Sequence, residues 1–84
     1  MGVCLNNEGD IIIADTGNSK IRIFQNNIVQ TIAGTFKGYA DGHLLVAMFE
    51  RPVSVYVDKR NKIFVADSSY IRVIDNDIVT TTYD

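Results

Sequence analysis

The stretch from Ile11 to Arg22, I-I-I-A-D-T-G-N-S-K-I-R, limits what this chain can become more than any other. An apolar run ends in Ala14-Asp15, a polar turn follows, and alternation resumes at Lys20-Ile21-Arg22-Ile23-Phe24. The pattern returns in shorter form from Ile63 to Arg72, as I-F-V-A-D-S-S-Y-I-R. Ala14-Asp15 meets Ala66-Asp67 at an offset of 52, from 14 to 66. Past the turn the offset is 50, from 21 to 71, because the second turn is two residues shorter. Val3 and Leu5 then match Val55 and Val57; Ile28, Val29 and Thr31 match Ile78, Val79 and Thr81. A repeat of about 50 residues implies stacked supersecondary units, a solenoid or a propeller.

Each copy parses into four short strands. The first has Val3–Leu5, Ile11–Ala14, Lys20–Phe24 and Ile28–Ala33; the second has Ser54–Val57, Ile63–Ala66, Tyr70–Ile74 and Ile78–Thr82. Asn7-Glu8-Gly9-Asp10 supplies a residue able to take positive φ. Asn26-Asn27 and Asn76-Asp77 suit two-residue type I′ turns, where Asn and Asp tolerate the left-handed region. No window holds a helical period, so each unit is expected to be a four-stranded antiparallel meander. Ile11-Ile12-Ile13 and Ile63-Phe64-Val65 do not alternate, which predicts apolar neighbours on both sheet faces. Stacked propeller blades meet that demand with only short edges left open. The expected fold class is all-β, two propeller blades of an incomplete ring or a subunit of an assembled one. Residues 1–34 form the first repeat, 35–52 the inter-blade connection and 53–84 the second repeat, all in one domain.

Composition narrows the function classes. With 84 residues there is room for one small domain. Such a chain buries only about 60% of the surface its unfolded form exposes. The net charge of −2 gives no nucleic-acid footprint. Cys4 is the single cysteine, which leaves no internal disulfide and no cysteine zinc site. No run approaches the ~20 apolar residues of a membrane helix. The first residues carry no basic-then-apolar leader, and Asn6 breaks a myristoylation pattern after Met1-Gly2. A cytoplasmic location is the default expectation.

The connection from Gly34 to Pro52 is long for a compact domain, so it is expected to pack or to carry function. Phe49, with Phe36, is expected to tuck beneath it, and Leu44 to Met48 could form one helical turn.

At this point the chain resembles the NHL repeat. Gly2-Val3, Ile12-Ile13-Ala14-Asp15-Thr16-Gly17-Asn18 and Ile21-Arg22 form one matching block. Thr31-Ile32-Ala33-Gly34, Gly38, Asp41-Gly42, Ala47, Phe49 and Pro52 form the next. Val57-Asp58, Ile63 to Asp67 and Ile71-Arg72 form the third. The second copy departs from the pattern, with Ser54 and Asn61 where Gly is usual and Ser68-Ser69-Tyr70 in place of Thr-Gly-Asn. The resemblance implies a β-propeller of four-stranded blades that serves as a platform for protein partners and, in some members, RNA. Some similar propellers are lyases or hydrolases with metal or His at the ring centre. Two blades cannot close a ring of 4–8. Self-association or further blades are therefore expected.

No residue is singled out as catalytic, cofactor-binding or metal-binding, and no cofactor is expected. Asp15 and Asp67 recur at one position and could form a central carboxylate pair or a metal site. Repetition favours a structural role instead, each accepting backbone N–H groups of its own following turn. Arg22 and Arg72 recur as well and are expected to point outward, stems over apolar surface. His43 lies beside Asp41, but one histidine makes a poor zinc set. Lys59-Arg60-Asn61-Lys62 reads as a solvated hairpin tip, and Cys4 as an inert thiol. Tyr39, Tyr70 and Lys37 are the parts an RNA-binding face would use. The reading adopted is a non-catalytic interaction scaffold binding protein partners through face loops. The alternatives are a propeller enzyme and an RNA-binding propeller.

Overall fold

Short β-branched runs punctuated by Asn, Asp and Gly yield nine strands in the computed structural model, which describes residues 2–83. β1 (Gly2–Leu5), β2 (Ile11–Asp15), β3 (Lys20–Gln25) and β4 (Ile28–Ala33) form a four-stranded antiparallel meander. After β5 (Gly42–His43), the strands β6 (Pro52–Val57), β7 (Ile63–Asp67), β8 (Tyr70–Asp75) and β9 (Ile78–Tyr83) repeat it. β5 adds to the outer edge, with Gly42 opposite Val79 and His43 opposite Ile78. The second sheet thus has five strands in the order β5-β9-β8-β7-β6, not the four expected of a plain meander. β5 belongs to the connection, and its two residues are too short a run to carry a strand period.

Two of the three turns in each blade repeat as faithfully as the strands, whereas Thr16–Asn18 form a 3-10 turn where the second blade has only Ser68-Ser69. Asn26 and Asn27 have φ of 54° and 63°; Asn76 and Asp77 have 52° and 64°. Both hairpins therefore use the type I′ geometry that matches strand twist. Between β1 and β2, Asn6 Oδ1 accepts from the N–H groups of Glu8 and Asp10; between β6 and β7, Asp58 Oδ1 accepts from those of Arg60 and Lys62. Asn61, at φ 64°, replaces the glycine expected there, because Asn reaches the left-handed region at small cost.

The core lies between the two blades. One face of the first blade contributes Ile12, Ala14, Ile21 and Ala33, with Cys4 and Ile23 packed alongside. The opposing face of the second blade contributes Ile63, Val65, Ile74 and Val79. Ala47 and Phe49 of the connection fill the space at one side. Burying Phe49 contributes about 1.5–3 kcal/mol relative to leaving it in water. The inner strands meet closely at Gly2, where a Cβ would fall 2.6 Å from Val53 O and 2.8 Å from Ser54 Cα. Thr16 Oγ1 donates to Pro52 O at 2.6 Å, and Asn7 Nδ2 donates to Lys59 O at 2.9 Å. These polar ties fix the angle between the blades.

Only one face of each blade is covered. Ile12 is buried, whereas Ile11 and Ile13 are half-buried; Ile63 and Val65 are buried, whereas Phe64 is half-buried. Demand for two covered faces is thus met by one neighbour, and the outermost faces stay open. In the connection, Ala47 N donates to His43 O at 2.9 Å, one helical turn that does not continue. Phe49 is buried as expected, but Phe36 is 80% exposed and packs under nothing.

Candidate functional site

The connection from Tyr39 to Arg51 closes over the second blade by way of one side chain, Arg72. Strand β8 places Arg72 opposite Val65 and Thr81, one step from the end of the sheet where Asp67 terminates β7. Arg72 is fully buried, contrary to the outward orientation expected from its place beside Ile71. Its Nη1 donates to Asp67 Oδ2 at 2.8 Å and to Met48 O at 2.9 Å. Its Nη2 donates to Ala40 O at 2.8 Å and to Asp41 Oδ1 at 3.0 Å. The guanidinium lies 4.8 Å from the Tyr39 ring centroid and 4.9 Å from that of Phe49, so both rings attract its charge. Tyr39 in turn stacks on Tyr70 at 4.5 Å. A planar, always-charged fork suits this site, since four acceptors lie around it in fixed directions.

Asp67 completes the clamp. Its carboxylate accepts from Glu50 N at 3.1 Å and Arg51 N at 2.6 Å. Its partners therefore belong to the connection, not to its own turn as expected. Burying the pair costs each ion several kcal/mol of hydration, offset only when the remaining donors and acceptors are filled. Here the carboxylate and both terminal nitrogens are filled. Arg72 Nε alone, among the described residues, is a buried side-chain polar atom without a partner. Thr81 Oγ1 donates to Asp41 Oδ1 at 2.9 Å and lies 2.8 Å from Tyr39 Oη. Asp67, Arg72 and Thr81 thus hold one segment of chain along the edge of β9.

The first blade carries the same three residues at matching positions: Asp15, Arg22 and Thr31. No segment covers them within the described residues. Arg22 Nε donates to Asp15 Oδ2 at 2.8 Å, with side-chain exposures of 27% and 22%. Asn18 Nδ2 donates to the same oxygen at 2.9 Å. The expected backbone donors of the Asp15 turn are thus replaced chiefly by side chains of that turn and of β3. The Asn18 hydrogen bond, opposed in part by desolvation and helped by Arg22, holds the Asp15 carboxyl below the usual carboxylate range.

The other candidates fall apart in space. Asp15 and Asp67 end parallel positions in separate sheets and form no pair. His43 is exposed in β5, and its Nδ1 accepts from Leu45 N at 3.3 Å. Lys59, Arg60 and Asn61 are exposed at a hairpin tip, and Lys62 Nζ lies 4.0 Å from Asp75 Oδ2. Cys4 is a free, half-buried thiol whose pKa burial pushes up. Tyr39 and Tyr70 are stacked into the clamp, while Lys37 is exposed elsewhere. Among the described residues no three His, Cys, Asp or Glu gather as metal ligands, and no helix is long and apolar enough to cross a membrane.

Sequence reasoning singled out Arg72 and Asp67 but missed that the connection binds them. The signal was present in Asp41-Gly42 and Phe49, which belong to the resemblance drawn from the sequence but were given no partner there.

Comparison with known proteins agrees with this architecture. The NHL repeat family matches residues 2–24, within the first blade. The chain is 36% identical over 80 residues to Protein SUPPRESSOR OF QUENCHING 1, chloroplastic, of Arabidopsis thaliana, a match covering 89% of this chain and 8% of that protein. It is 42% identical over 77 residues to NHL repeat-containing protein 2 of Gallus gallus, covering 84% of this chain and 10% of that protein. The chain therefore spans a tenth or less of the length of these relatives.

Proposed function

We propose that this chain, a pair of NHL-type propeller blades, works as a non-catalytic interaction unit that holds protein partners on the faces its own two blades leave open. The observation that carries this reading is the pair of outer faces. On the first blade, Val3, Leu5, Phe24 and Val29 are exposed together on one side. On the second, a groove of about 340 Å³ is lined by Phe64, Val73 and Ile78 together with Lys62, Asp75 and threonines 80–82. Tyr56, exposed on β6, lies 6.3 Å from Phe64 between ring centroids. The apolar part of these faces is favourable to cover, at about 25 cal/mol per Å².

The two open faces are the counterparts of the two that pack inside the molecule. A blade placed against either would repeat the existing interface, and a head-to-tail contact of this sort generates rings or filaments. Other blades are thus the first class of partner the faces fit. The test is the native mass by light scattering during size exclusion, for the chain and for Tyr56→Lys. The reading expects a mass above the 9.4 kDa of one chain, falling toward it in the variant. A chain that stays monomeric up to millimolar concentration contradicts it.

A further inference from the structure

We propose that two loop tips of the connection, Phe36-Lys37 and Leu45-Val46, dock this chain on the surface of an anionic phospholipid bilayer. Phe36 is 80% exposed, and Leu45 and Val46 are each 61% exposed. The two loops are tied side by side. Gly34 N donates to Leu44 O at 3.0 Å, and Thr35 Oγ1 donates to Ala47 O at 3.4 Å. Phe36 therefore leaves one loop beside the turn that presents Leu45 and Val46. The same segment sends Ala47 and Phe49 into the core between the blades. Its tips thus stand at the rim, apart from the face of Leu5 and Phe24 and from the face of Tyr56 and Phe64. A further blade stacked on either open face leaves them in water, so the inference goes beyond the reading above and does not rest on it.

The backbone of the turn suits a medium that offers no hydrogen bonds. His43 O accepts from Val46 N and from Ala47 N, both at 2.9 Å. His43 Nδ1 accepts from Leu45 N at 3.3 Å, and Leu44 N donates to Asp77 O at 3.2 Å. Every N–H group from Leu44 to Ala47 therefore has a partner inside the chain. A loop that meets only water has no need of this, because water satisfies its exposed N–H groups. A loop that enters lipid does need it, since an unpaired N–H carried there is costly. The apolar side chains protrude from loops and do not line a groove, and a protruding tip fits the soft boundary between headgroups and acyl chains.

Lys37 sets the sign of the lipid. It follows Phe36, is exposed, and among the described residues has no carboxylate partner. With Phe36 at the acyl boundary, the long Lys37 stem carries its ammonium back to the headgroups, where anionic lipid attracts it. The Asp41 carboxylate of the same segment is already held by Arg72 and Thr81. The apolar tips supply the larger part of the affinity and the single cation the smaller part.

The experiment sediments the full chain with vesicles of phosphatidylcholine alone and with vesicles of phosphatidylcholine and phosphatidylserine in equal parts. Binding to the mixed vesicles is expected, about fivefold weaker on phosphatidylcholine alone. Leu45→Asp should weaken it by about tenfold or more. Lys37→Ala should weaken it by about fivefold on the mixed vesicles only. Tyr56→Lys, on an open blade face, should leave it unchanged. Should Leu45→Asp fail to fold, Phe36→Trp reads the site on an otherwise unaltered chain, which has no tryptophan of its own. Its emission should shift to shorter wavelength on the mixed vesicles and be quenched by brominated acyl chains. Absence of sedimentation with the mixed vesicles overturns the proposal and leaves the tips to a polypeptide partner. Equal binding to both vesicles overturns it, as does a Phe36→Trp emission that vesicles do not move. Binding lost in Tyr56→Lys but kept in Leu45→Asp also overturns it, since the lipid would then lie on a blade face.

Discussion

Arg22 and Arg72 stand at matching places in two sheets built on one pattern, yet one side chain is 27% exposed and the other fully buried. Asp15 and Asp67 differ in the same way. Strand identity and register are the same around both. What differs is the cover: Arg72 shares the sheet face that packs against the first blade and is closed over by the connection, whereas Arg22 shares the outer face with exposed Val3, Leu5, Phe24 and Val29. The burial of a charge in this fold is therefore decided by the adjoining blade together with the connecting segment, and not by the strand that bears it. The same segment decides whether the outer edge of a blade is paired.

Removing the guanidinium is the strongest way to break the comparison. Arg72→Ala leaves the Asp67 carboxylate buried and uncompensated, which costs about 3–5 kcal/mol. A domain of this size has total stability of about 4–13 kcal/mol at the usual ~0.05–0.15 kcal/mol per residue, so urea unfolding should show a large loss or no folded state. Arg22→Ala breaks a half-exposed pair and should cost about 1 kcal/mol or less. Equal losses at the two sites would mean that cover by the first blade and the connection does not decide the strength of the pair.

The aromatic residues sharpen the same contrast. Phe49→Ala removes a fully buried ring that touches both the core and Arg72, and should cost about 3–5 kcal/mol by thermal or urea unfolding. Phe24→Ala, on the open face of the first blade, should cost about 1 kcal/mol, since much of its ring is already in water.

The smallest effect is on the acid limb. The carboxyl of Asp15 is held below its ordinary range by Asn18 first and Arg22 second. A depressed folded value makes the charged form the stabilising one. Its contribution is complete above the unfolded value of about 4 and is lost as pH falls through the lower folded value. Asp15→Asn should therefore flatten the fall in stability below about pH 4 and leave the dependence near neutrality unchanged. A variant with an unaltered acid limb would show that the Asp15 pair adds nothing to folding.

Much of this architecture is legible in the residues. Isoleucine-rich runs between Asn-Asn, Asn-Asp and Gly turns specify the strands, and the offset of 52 places one sheet on the other. The candidate site is less legible, for a physical reason. Alternation reports which face of a strand a side chain occupies, not whether a distant loop will cover that face. Arg72 alternates like a surface residue, yet Ala40, Asp41, Met48 and Phe49 arrive to bury it. β5 is hidden for a related reason. Gly42-His43 has no strand propensity of its own and pairs because the clamp holds it beside β9. Phe36 misleads in the other direction, since an aromatic in a glycine-rich loop looks like an anchor and is exposed.

The most direct test of the account is amide hydrogen exchange at Glu50 and Arg51 in the intact chain. Both N–H groups donate to the Asp67 carboxylate in a segment outside the β-sheet ladders, so that carboxylate is the acceptor protecting them. The account predicts slow exchange at both, approaching that of the β7 core strand. Exchange at the rate of an open loop would contradict it, because the connection would then not be held by the buried pair.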